Sequence, residues 1–262
     1  MQKMDRKYQG IDTAAKISAT AAKTLRSEGI SFACRYLVPN SGNTAWKALT
    51  ASEAADLRGA GLAILLCWET SADRMKGGYD VGHVDGAAAR QLAQEMGIPA
   101  GTVVYFAADY AVPESDYEAV YQYLYAASGS VSPYRVGLYG SENVVGEMHE
   151  RNACGFFWQC VGGSNMFLDC AKTIQYEWQG GPNALALAAK VGFAVDLDSA
   201  ATLTGMWEPE RPGTEAEDAH RWAVSRGLVD ETMRDVSQME IMLYRYFRTF
   251  QPADDWSVGI KD

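Results

Sequence analysis

The sequence predicts an α/β fold: a (β/α)8 TIM-like barrel with short or missing helices in its second half, plus a small C-terminal helical hairpin. Three observations predict it. Eight apolar, strand-like runs occupy roughly the first 200 residues, and helical-period segments separate at least the first five, the alternation of a parallel sheet. No glycine-rich nucleotide loop accompanies them, so a closed barrel fits better than an open doubly wound sheet.

The first run is YQGID (8–12), followed by an Ala-rich helix over 13–28 that Gly29 closes. SFACRYL (31–37) is the second. The next helix opens with Thr50 and Glu53 at capping-box spacing and stops near Gly59 and Gly61. LAILLCWET (62–70) is apolar throughout its body, the mark of a strand buried on both faces. A helix over 84–96 ends at Gly97, and TVVYFAADY (102–110) follows as the fourth strand. Helix 114–128 places Tyr117, Val120, Tyr121 and Leu124 on one face. YRVGLYG (134–140), FFWQCVG (156–162), KTIQYEW (172–178) and GFAVDLD (192–198) complete the eight. From about residue 155 onward the gaps leave room only for loops or short helices.

At 208–218 the string EPERPGTEAED has the composition of a linker. The expected organisation is therefore a barrel over 1–207, a linker over 208–218, and two short amphipathic helices over 219–262. Length agrees: 262 residues suit one large domain with an appendage. The 23 basic and 33 acidic side chains give a net charge of −10, which argues against a phosphate-backbone binder. No run of about 18 apolar residues suggests a membrane span, and no signal-peptide segment is visible, so a soluble chain is expected.

In a parallel barrel the chemistry sits where strands end, and these ends are acidic. Asp12 ends the first strand, Glu69 the third, Asp109 the fourth, and Asp196 or Asp198 the eighth. Any one of them has an alternative as a helix cap or ion-pair partner. Gathered in one mouth they would repel, which raises the pKa of at least one and supplies a general acid beside a base or nucleophile. Glycoside hydrolysis requires that pairing. Trp68, Tyr105, Tyr110, Tyr139, Trp158, Gln159, Gln175, Tyr176 and Trp178 accompany the acids as sugar-stacking and hydrogen-bonding candidates, or as core packing. Of these, Trp68, Tyr110, Tyr139, Gln175 and Trp178 are the expected substrate contacts, with Asp198. Arg35 either binds an anionic substrate group or a carboxylate, or serves as a structural ion-pair partner.

No metal and no cofactor are expected. His83, His149 and His220 have no ligand spacing, and the five cysteines form no CxxC pair and read as reduced core thiols. GxSxG, Walker A and GxGxxG are absent. A thiol nucleophile at Cys67 or Cys160 is the remaining non-glycosidase chemistry, against the reading of both as buried and inert.

The strings GIDTA, CRYL, KALTASEAADLRGAGL, GHVDGAAARQLAQEMGIPAGTVVYFAADY, VGLYGS and FAVDLDSA resemble, in order, the glycoside-hydrolase-like domain family also called domain of unknown function 1906, over about residues 7–205. The resemblance implies a TIM-like barrel related to the family 25 lysozyme-type muramidases, found in secreted bacterial proteins and phage endolysins. It matches Asp12 to the muramidase first-strand aspartate and Asp196, with Asp198 as its rival, to the last-strand acid. The fourth strand departs: muramidases carry Asp-x-Glu, whereas this chain reads Ala107-Ala108-Asp109. The expected function is hydrolysis of β-1,4 bonds of peptidoglycan, with Asp109 as acid, Asp12 and Asp196 stabilising positive charge, and Glu69 in reserve. The partner is a bacterial cell-wall glycan, reached after release or phage lysis. The alternatives are an inactive glycan-binding barrel and a thiol-dependent amidase or peptidase. The segment RWAVSRGLVDETMRDVSQMEIMLYRYF is similar to one S-layer-homology-like repeat and implies wall binding, self-association or packing against the barrel.

Overall fold

A computed structural model of the chain describes residues 7–161 and 166–209. Nearly all of the expected linker, and the whole helical segment 219–262 with its S-layer-like string, lie outside the described residues.

Eight strands close into a barrel in chain order: β1 (Tyr8–Asp12), β2 (Ile30–Tyr36), β3 (Ala63–Trp68), β4 (Val103–Ala107), β5 (Arg135–Gly140), β6 (Phe156–Cys160), β7 (Ala171–Glu177) and β8 (Asp196–Ala200). Between them run α1 (Ala19–Ser27), α2 (Ala51–Gly59), α3 (Gly78–Glu95), α4 (Tyr117–Val131), α5 (Glu142–Glu150) and α6 (Pro182–Val191). Neighbours from β1 to β7 are parallel. β8 is not: it pairs antiparallel with both β7 and β1. The expectation of an all-parallel barrel, with the last acids at the end of strand 192–198, is corrected accordingly. Left-handed Gly192 ends α6 at φ 87°. The connection 193–195 then returns the chain to the mouth, where Thr13 Oγ1 donates to Ala194 O at 2.8 Å. β8 therefore enters the barrel from the mouth and descends, so Asp196 stands at its start.

Local chemistry adjusts the expected boundaries. Thr13 also accepts from Ala15 N, and Ser18 caps α1 by accepting from Ala21 N, so residues 13–18 stay outside the helix. Thr50 accepts from Glu53 N as a capping box requires. The Glu53 carboxylate, however, turns away from the cap to Arg35. α3 begins earlier than the expected 84, and no helix joins β6 to β7 among the described residues.

The strand period of two divides the apolar residues into two layers. Ile11, Leu66, Trp68, Phe106 and Leu138 face outward and pack beneath the helices, while Phe32, Leu65, Tyr105, Ala107 and Trp158 fill the interior. Inward positions 10 and 137 are glycine because neighbouring rings occupy the space. A Cβ at Gly10 would lie 2.2 Å from the Phe32 ring, and one at Gly137 would lie 2.6 Å from Tyr105. Aromatic rings thus plug the lower barrel and leave the mouth open.

Candidate active site

Inward residues at the mouth end of the strands line a pocket of about 290 Å³. Asp12 (β1), Tyr36 (β2), Ala107 (β4), Tyr139 (β5), Cys160 (β6), Gln175 (β7) and Asp196 (β8) come from the strands, and Glu69 and Asp109 from the loops just beyond β3 and β4. All four acids expected to be catalytic share this one hollow. Asp109 and Cys160 also line an adjoining groove of about 810 Å³, walled by Tyr110–Pro113 and Ser141–Asn143.

Gln175 organises two of the acids. Its Nε2 donates to Asp12 Oδ2 at 2.8 Å and to Asp196 Oδ2 at 3.1 Å, while its Oε1 accepts from Tyr139 OH at 3.1 Å. The register sets this up, because Asp12 and Asp196 are directly opposed on β1 and β8. Asp196 Oδ1 also accepts from the backbone N–H of Gln179. One layer deeper, Asp198 lies fully buried and accepts from Trp158 Nε1 at 2.8 Å. Tyr139 packs on that indole with ring centroids 4.3 Å apart.

Burial raises each of these carboxyls above its ordinary value, and repulsion between neighbouring acids adds to the rise at Asp12, Asp109 and Asp198. Asp12 is pushed up to about 7, first by burial and then by the Asp196 charge. Asp198 is driven well above the usual value by burial, then by Asp12. Burial is also the main cause for Asp196. Asp109 is raised by burial and by Glu69, against a smaller opposing effect of Lys47. Among the described residues, no basic side chain forms an ion pair with Asp12, Asp196 or Asp198. Glu69 differs, being engaged by Lys47 Nζ at 3.0 Å, and that ammonium also sits 4.4 Å from the Tyr36 ring centroid.

Several expected substrate contacts are not in the pocket. Arg35 is completely buried on the outer face, where it pairs with Glu53 at 2.7 Å and donates to the carbonyls of Thr13 and Lys47. It braces the loops that carry the site and cannot touch substrate. Trp68 is 3% exposed and packs against Phe106 under the helices. The period of two explains both corrections: Arg35 and Trp68 are flanked by inward Tyr36, Cys67 and Glu69, so they must face out. Asp198 faces in but is sealed below Asp12. Tyr110 lies outside the central pocket, lining the groove, with its hydroxyl donating to Asp116 at 3.2 Å. Trp178, 66% exposed, stands beyond the end of β7 and outside both hollows.

Two residues at the site escaped sequence reasoning: Lys47, which sits in an irregular stretch with no periodic signal and reaches the pocket through Glu69, and Tyr36, legible only through its inward parity. Cys67, weighed in the sequence as a thiol, also lines the pocket. The described cysteines are all free, and burial pushes the Cys34 and Cys160 thiols up, opposite to what a nucleophile needs. His83 and His149 lie on α3 and α5 and line neither hollow. His220 lies outside the described residues. No metal-binding cluster occurs among the described residues, and none of their helices is long and apolar enough to cross a membrane.

A family model described as "Rv2525c-like, glycoside hydrolase-like domain" matches residues 23–231. The uncharacterized protein YbfG of Bacillus subtilis is 34% identical over an alignment of 155 positions that covers 51% of this chain and 20% of YbfG. The chain thus spans about a fifth of that relative. Among solved structures, the Mycobacterium tuberculosis Tat-secreted protein Rv2525c, in complex with L-tartrate, aligns at a TM-score of 0.66 and 23% identity, covering 76% of this chain and 98% of that one. The Clostridium perfringens spore cortex lytic enzyme SleM aligns at 0.51 and 13% identity, covering 79% and 71%. Identities this low establish a shared fold.

Proposed function

The chain belongs to the Rv2525c-like, glycoside hydrolase-like domain family, and from that premise we propose that it hydrolyses glycosidic bonds of a bacterial cell-wall glycan, the β-1,4 bonds of peptidoglycan, in the manner of a muramidase. The observation that carries this reading is the position of Asp109, the carboxyl that lines both the closed pocket and the open groove. A sugar ring in the pocket and a leaving group in the groove would place the scissile oxygen beside it. Burial and the neighbouring Glu69 charge push its pKa up, the direction a general acid requires.

Cleavage of the sugar–oxygen bond leaves positive charge at the sugar carbon. Asp12 and Asp196, joined through Gln175, are suited to face that charge from the pocket side. Glu69, engaged by Lys47, would act mainly by raising Asp109 rather than as a spare acid. Tyr139 and Gln175 supply the polar contacts, and exposed Trp178 a stacking surface for a more distant sugar. Such a substrate lies outside the cytoplasmic membrane, so the chain would act after secretion or lysis, as a phage endolysin does. The segment 219–262 would hold it to the wall or to a second copy.

The test is release of reducing ends and loss of turbidity from purified bacterial walls. Asp109→Ala should lower the rate by about 10²–10⁴-fold, the usual range for removing a general acid. Ala107, which lines the pocket where the muramidase pattern has a second acid, favours the other reading, an inactive glycan-binding barrel. That reading holds if wild type and Asp109→Ala both sediment with walls and solubilise equally little. New amino termini in place of reducing ends would instead indicate a peptidase, a reading for which neither His83 nor His149 offers a base in the pocket.

A further inference from the structure

Below the pocket lies a buried pair of acids whose hydrogen bonding does not close if both are ionised. Asp198 is 0% exposed and Asp12 is 7% exposed. Asp198 Oδ1 has a donor in Trp158 Nε1, yet its Oδ2 is equally buried and accepts no hydrogen bond from any described group. An ionised carboxylate oxygen sealed in a barrel without a donor is strongly disfavoured. The titratable groups facing it are Asp12 on β1, Asp196 on its own strand, Cys34 on β2, Tyr139 on β5 and Tyr176 on β7, and none is a cation. The partner within hydrogen-bond reach is the Asp12 carboxyl, itself an acceptor. Two carboxyls can bond only if one of them carries a proton.

Which one carries it follows from their other partners. Asp12 has Gln175 Nε2 on Oδ2, a donor that favours its ionised form, and its side chain borders the pocket. Asp198 has no access to the pocket.

We infer that Asp198 is a positioning residue that holds a proton on Oδ2 and donates it to Asp12, so that the pair carries one negative charge, placed on the member facing the substrate. Trp158 and Tyr139 lock the Asp198 carboxyl in place from β6 and β5. The consequence for catalysis rests on the hydrolase reading: Asp12 stays an anion beside Asp196, oriented towards the sugar carbon. The proton itself does not depend on that reading, and its test uses no glycan.

The experiment is difference infrared spectroscopy of the full chain at pH 8, where exposed carboxyls are ionised. Wild type should show the C=O band of a buried protonated carboxyl. Asp198→Asn, nearly isosteric and with an N–H in place of the O–H, should abolish it. Asp12→Asn should shift the band by changing its acceptor without removing it. Absence of the band in wild type would overturn the proposal, as would a band that Asp12→Asn abolishes and Asp198→Asn leaves. If Asp198→Asn does not fold, the wild-type spectrum and the Asp12→Asn shift still decide between these outcomes.

Discussion

Two groups of buried charge sit back to back across the same sheet and obey opposite rules. On the outer face, Arg35 and Glu53 are both buried and each is matched: the guanidinium meets a carboxylate and two carbonyls, and the carboxylate also accepts from Ile17 N at 2.9 Å. On the inner face, Asp12, Asp196 and Asp198 crowd together with neutral donors and no cation. Adjacent residues of one strand, Arg35 and Tyr36, belong to the two different environments. The outer group spends its electrostatics on holding loops in place. The inner group keeps a proton-binding capacity that a purely structural site would have neutralised. Buried charge by itself therefore does not mark a functional site, whereas buried like charge left without a counter-ion does.

The sharpest way to break this contrast is to remove one partner from the matched side. Arg35→Met strands Glu53 in the layer between barrel and helices, and should lower stability by about 3–5 kcal/mol. Denaturant unfolding measures it. The corresponding change on the inner side, Asp196→Asn, removes a repulsive charge and should leave stability unchanged or raised. Equal losses from the two variants would erase the distinction.

The next effect is on the pH dependence of stability. Asp12 binds its proton more tightly in the folded chain, at about 7 against an ordinary 3.8. A raised carboxyl contributes stability in full below its ordinary value, and loses that contribution as pH rises to the folded value. Asp198 and Asp109 act in the same direction. The melting temperature should therefore fall between pH 5 and pH 8, and Asp12→Asn should flatten that fall. A melting temperature that rises across this interval in wild type would mean that the inner acids are compensated after all.

The convergence of Asp12, Glu69, Asp109 and Asp196 was legible because each closes or borders an apolar run, and a barrel brings the mouth ends of such runs together. The eight strands were legible for the same reason. The direction of β8 was not, since it depends on where the connection after Gly192 re-enters the barrel, a tertiary matter decided partly by the Thr13 to Ala194 bond. The Arg35–Glu53 pair links a strand to a helix 18 residues on, and nothing local announces it. Lys47 was illegible because its stretch has no period. The outward orientation of Trp68 and Arg35 was legible too. If Glu69 and Tyr36 point in, their immediate neighbours point out.

Strand parity also sets the smallest and most discriminating expected effect. Trp68 is an aromatic residue beside a pocket acid, which makes it an attractive sugar platform in a linear sequence. Its ring instead packs against Phe106 at 6.4 Å between centroids, and its buried Nε1 has no hydrogen-bond partner among the described residues. Replacing it by Phe removes an unsatisfied donor, whose burial is costly, at the expense of some packing volume. The two changes oppose, so Trp68→Phe should shift stability by about 1 kcal/mol or less. Binding to purified walls should not change, because no atom of the indole reaches the mouth. Trp158, whose Nε1 holds Asp198, provides the inward control: Trp158→Phe removes that donor and should raise the pH at which the inner acids titrate. If Trp68→Phe weakened wall binding while Trp158→Phe left the titration unmoved, the assignment of the two faces, and with it the contrast between matched and unmatched charge, would be wrong.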